Sequence, residues 1–102
     1  MKQAVKNRLT MLSQNVVAEV TPSNPSLRRW VEVIARSQGG YAVVSFEVSS
    51  ALDGVNTYLA PGDIQNESTV GAESLDDVLR VLSRMGVDSD AFTVPWETDF
   101  PL

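Results

Sequence analysis

The sequence predicts an α+β fold: a small antiparallel sheet centred on a 41–60 hairpin, with two amphipathic helices, about 25–37 and 75–85, packed on one face. Three observations carry this reading. Apolar and polar residues alternate from Tyr41 to Leu52 and meet an Asp53-Gly54 turn signal. Apolar residues recur at helical spacing in two further segments, and no repeat or linker divides the 102 residues. One shared core is therefore expected, with 1–102 forming a single domain.

The elements follow in chain order. Val5, Leu9 and Leu12 fall at i, i+4 and i+7, which predicts a short helix over 2–13. Val16, Ala18 and Val20 alternate with Glu19 and Thr21 as in a half-buried strand that stops at Pro22. Asn24 then has the chemistry of a helix cap, with Pro25 at the first position and Gly39 beyond the last turn. Between them Leu27, Trp30, Val31, Ile34 and Ala35 line one helical face, and Arg28, Glu32 and Arg36 fall at i, i+4 and i+8 on the other.

In the next segment Ala42, Val44, Phe46 and Val48 point one way, and Tyr41, Val43, Ser45 and Glu47 the other. Asp53-Gly54 suits a two-residue type I′ turn, because both central residues need positive φ. Leu52 would then face Val55, and Val48 would face Leu59. Residues 61–73 carry turn formers without periodicity and read as a long loop. Ser74 caps a second helix whose buried stripe is Leu75, Val78, Leu79, Leu82 and Met85, and Gly86-Val87 has the form of a Schellman ending. Phe92, Val94 and Trp96 fit a last short strand. Pro95 and Pro101 make 95–102 an irregular tail.

Composition excludes much familiar chemistry. With no cysteine and no histidine, the chain can form no disulfide, thiolate nucleophile, Cys/His zinc site or Ser-His pair. Asp63, Glu67, Glu73, Asp76 and Asp77 could offer oxygen ligands to a divalent cation, but they match no ligand spacing, and a helix N-terminus is reason enough for Asp76 and Asp77. Asp88-Ser89-Asp90 begins like a calcium loop and fails where Phe92 and Thr93 stand. No glycine spacing forms a phosphate cradle. The expectation is a protein that is not an enzyme and needs no cofactor.

The net charge of −5 is unevenly distributed. Residues 1–36 hold six bases against two acids, and residues 37–102 hold Arg80 and Arg84 against eleven acids. Such a balance argues against direct nucleic-acid binding and favours a protein partner with a basic surface. The polar N-terminus and short apolar runs give no signal peptide or membrane span, so a cytoplasmic protein is expected. The tail places Trp96 and Phe100 among Glu97 and Asp99, a pattern that serves either as a core plug or as a docking segment. The expected partner-binding residues are Asp63, Glu67, Trp96, Glu97, Asp99 and Phe100. The functional expectation is an acidic protein-binding domain of inhibitor or immunity type. A homo-oligomeric structural subunit and a carboxylate-dependent metal enzyme are the alternatives.

Overall fold

The computed structural model describes residues 1–50, 63–98, 100 and 101. It is an α+β fold built on one four-stranded antiparallel sheet in the order β1-β2-β3-β4. The strands are β1 (Val16–Val20), β2 (Leu27–Ala35), β3 (Tyr41–Ser49) and β4 (Gln65–Ala72). Helix α1 (Gln3–Thr10) precedes them and helix α2 (Leu75–Met85) follows. Short 3₁₀ turns at Ser89–Ala91 and Pro95–Glu97 come after α2.

Several elements form where the residue pattern places them. Helix α2 begins at Ser74, whose hydroxyl accepts from the Asp77 N–H at 3.2 Å. It ends at Gly86 with φ 73°, and the Val87 N–H reaches back to the Leu82 carbonyl at 2.9 Å. Only a residue that tolerates left-handed backbone closes a helix in this way. Strand β1 runs as expected. Helix α1 is shorter than the predicted 2–13: it ends before Leu12, which is exposed, and the chain turns at Ser13 with φ 52°.

The predicted helix at 25–37 is instead β2, an inner strand. Neighbours hydrogen-bond it on both sides, β1 through pairs such as Ala18 with Val31 and β3 through pairs such as Trp30 with Phe46. Both faces of β2 are covered, so apolar residues occupy both parities, and Trp30-Val31 and Ile34-Ala35 imitate helical spacing. The β-branched Val31, Val33 and Ile34 suit the pleated surface, where tertiary pairing decides the outcome.

The predicted loop at 61–73 contains β4, which pairs with β3 from Tyr41–Ala72 to Glu47–Gln65. The Asp53-Gly54 turn and the strand expected after it lie outside the described residues. The first arm of that hairpin is β3, with the two predicted side-chain sets on opposite faces. Phe92 is buried, and the last predicted strand is a single bridge, Thr93 to Val17.

Among the described residues two apolar clusters hold the sheet. The larger joins Val5 and Leu9 of α1, Val78 and Leu82 of α2, and Phe92 to Val16, Ala18, Val31, Val33 and Val43. By strand alternation these sheet residues share one face, here called the first. On the second face Trp30, Phe46 and Val48 form a smaller cluster with Val44, Ile64 and Phe100. Among the described residues no helix is long and apolar enough to cross a membrane.

Candidate protein-docking surface

The C-terminal segment is placed by four successive contacts. Thr93 exchanges backbone hydrogen bonds with Val17 at 2.9 and 3.0 Å along the outer edge of β1. The turn Pro95–Glu97 follows, and the Thr98 hydroxyl both donates to the Pro95 carbonyl and accepts from the Phe100 N–H. Phe100 then rests edge-on against Trp30 at 5.5 Å between ring centroids and against Phe46 at 5.9 Å. Edge-to-face geometry sets the positive ring edge against a negative π face, so the contact is directional as well as apolar.

Trp96 does not join that cluster. It is 72% exposed, and the Arg8 guanidinium lies over its ring at 4.7 Å. Arg8 also donates to the Asn15 carbonyl at 2.8 Å and to Gln14 Oε1 at 2.6 Å, bracing the turn after α1. That turn carries Met11 at 76% and Leu12 at 64% exposure. Thus Arg8 ties an exposed tryptophan to a turn bearing two exposed large apolar side chains. Trp, Met and Arg are enriched at protein interfaces, so the composition is that of a contact patch. Glu97 borders it and accepts from the Thr93 hydroxyl at 2.7 Å.

The other expected site residues fall elsewhere. Glu67 is exposed on β4, and Asp63 is half-buried beside Ile64, which joins the Phe100 cluster. The structure therefore brings the 63–64 segment and the tail to one cluster, and leaves Glu67 on the sheet edge. Asp99 lies outside the described residues. Among the described residues no three acidic side chains converge on a point that could hold a metal ion. Groups from the basic and acidic parts of the sequence also meet in space. Arg29 of β2 stands directly across from Glu47 of β3, and the Met1 α-amino group pairs with Asp90 at 2.8 Å.

Sequence reasoning missed one polar cluster. Glu47 is 3% exposed on the first face and accepts from the Ser23 N–H at 2.7 Å, the Ser23 hydroxyl at 2.9 Å and Asn66 Nδ2 at 2.6 Å. Asn66 occupies a left-handed conformation, φ 51°, where β4 slips register against Ser45–Glu47. A bulge of this kind re-aims a side chain, here toward the carboxylate, and asparagine tolerates the conformation. The Ser23 backbone N–H is the main influence holding the Glu47 carboxyl below its usual range. Burial opposes it, while Asn66, the Ser23 hydroxyl and Arg29 add to the lowering. Both carboxylate oxygens are engaged, so the cluster ties the β1–β2 connection to β4. The signal in the sequence was Glu47 sharing a strand face with Val43, a position toward the core.

Comparison of the chain with protein-family models, with curated proteins and with solved structures gives no match.

Proposed function

We propose that this chain is a non-enzymatic domain that binds another protein through the surface formed by Trp96, Arg8, Met11 and Leu12. One observation carries the reading: Trp96 is 72% exposed although a buried aromatic cluster lies four residues further on, where Phe100 is seated. A tryptophan left in water beside an arginine supplies a large, rigid, amphipathic contact with little conformational freedom to lose on binding. The acidic composition and the lack of histidine and cysteine suit an inhibitor or immunity-type role in a cytoplasmic setting, where occupying the partner is the whole activity.

The test is affinity isolation with wild-type and Trp96→Ala baits, followed by calorimetry on the identified partner. Trp96→Ala should weaken binding by about 2 kcal/mol, roughly 30-fold, while folding stability falls by no more than about 1 kcal/mol. A partner held equally well by Trp96→Ala and by a Met11→Ala/Leu12→Ala double variant would remove this surface from the function.

A further inference from the structure

The two outer edges of the sheet are treated differently. The β1 edge is bridged by Thr93. On β4, among the described residues, no backbone hydrogen bond reaches the outer edge. Exposed edges in stable monomers are usually blunted by lysine, proline or an inward charge. From Ser68 to Ala72 the strand reads Ser-Thr-Val-Gly-Ala, with none of these devices and with Val70 42% exposed. The bulge at Asn66 lies before this stretch and leaves it regular.

The charges flanking the edge are complementary to themselves under a two-fold rotation. Glu67 and Gly71 share the second face, since both are separated by two residues from Thr69. Glu67 is exposed and forms no ion pair among the described residues. The Arg36 guanidinium extends over Gly71: a side-chain carbon there would lie 3.3 Å from Arg36 Nη1. Arg36 likewise forms no ion pair among the described residues. Suppose two β4 strands pair antiparallel with Thr69 opposite Thr69. Glu67 of each copy then faces Gly71 of the other, under that copy's Arg36, so two unused acids meet two unused bases.

The first-face side carries a similar order of charges, although Asp77 there already pairs with Arg80 of its own helix at 3.0 Å. A groove between β4 and α2 is lined by Val70, Asp77, Arg80, Val81 and Arg84. Asp77, Val81 and Arg84 fall at i, i+4 and i+7, hence on one helix face. Rotated about the same axis, two α2 helices would run antiparallel, with the Asp77 end of one toward the Arg84 end of the other and Val81 and Val70 between them. A surface with an acid at one end, a base at the other and apolar residues between is the form a two-fold interface requires.

We propose that the occupant of the β4 edge is a second copy of this chain, giving a two-fold dimer with one continuous sheet. This surface is separate from the Trp96 patch and stands or falls independently of it. The test is sedimentation velocity from about 1 µM to about 1 mM, a range wide enough to expose a weak dimer. The mass should rise from 11.1 kDa toward twice that value. Val70→Lys should raise the dissociation constant about a hundredfold with an unchanged urea midpoint, because the residue sits on an exposed edge. Glu67→Arg should raise it about tenfold, and Glu67→Arg combined with Arg36→Glu should restore it. A monomer throughout the range overturns the proposal. So does a dimer indifferent to Val70→Lys, one dissolved by Trp96→Ala, or a charge swap that restores nothing.

Discussion

Replacing Phe100 by alanine separates its structural part from that of Trp96, four residues away. A fully buried phenylalanine cut to alanine costs about 3 to 5 kcal/mol. Phe100 is only half-buried, so about half of that is expected from lost burial. Its two edge-on contacts, to Trp30 and Phe46, keep the total near about 2 to 3 kcal/mol. For a domain of this size that lowers the melting temperature by roughly 8 to 20 °C. The loss also opens Trp30, now 1% exposed, to solvent. Urea denaturation followed by tryptophan fluorescence reads both effects, a lower midpoint and red-shifted native emission. Trp96→Ala, by contrast, gives up one exposed cation–π contact worth about 0.5 to 1 kcal/mol. Equal midpoints for Phe100→Ala and wild type would refute the seating of the tail on the second face. A larger loss for Trp96→Ala than for Phe100→Ala would invert the assignment of plug and contact.

Three further outcomes are expected. Asn66→Gly keeps the backbone conformation at φ 51° while deleting the donor to Glu47, so it should destabilise by about 1.5 to 3 kcal/mol, and an unchanged urea midpoint would show that the bulge holds nothing. The Glu47 carboxyl is held below the ordinary value of 4.5 when folded, so the unfolded chain binds the extra proton first as pH falls. Its contribution is complete above that value and is lost as pH drops through the folded one. Glu47→Gln should therefore flatten part of the acid limb of stability measured by urea midpoints between about pH 3 and pH 7, while Asp90, which the Met1 α-amino group holds low, keeps a contribution of the same sign. Finally, Gly40→Ala should cost about 1 to 3 kcal/mol and more than Gly39→Ala: both have positive φ, but only at Gly40 would the added carbon lie 2.8 Å from the Ala72 carbonyl oxygen. Similar melting temperatures for the two variants would mean that the β2–β3 turn is not pressed against β4.

What the sequence discloses depends on how unevenly each element is exposed. Helix α2 has one buried stripe, a serine cap and a glycine stop, and each leaves a local mark, so its bounds are legible. Strand β3 is legible because two side-chain sets alternate along it. β2 is misread because burial on both faces erases alternation, and Leu27, Trp30, Val31, Ile34 and Ala35 then satisfy a helical template by coincidence. β4 fails in the opposite way: exposed on both faces, its Gln-Asn-Glu-Ser-Thr start carries no apolar rhythm and is placed by its pairing with β3. The docking surface is half legible. An acidic, aromatic tail stands out in the sequence, but that Phe100 turns inward and Trp96 outward depends on contacts with Trp30 and Arg8, residues remote along the chain. The Glu47 cluster needs a bulge, which no composition signals.

The bridge between Val17 and Thr93 joins residues 76 positions apart, whereas the four strands pair in chain order through successive neighbours. During synthesis the sheet can therefore assemble progressively as β2, β3 and β4 emerge, yet the rim of β1 waits for Thr93, which emerges only after α2. Until Thr93 arrives, the rim of β1 is open, the condition under which strands of neighbouring molecules pair indiscriminately. A chain stopped after Phe92, which keeps that buried side chain but lacks Thr93, should therefore yield more insoluble material than one that extends through Thr93.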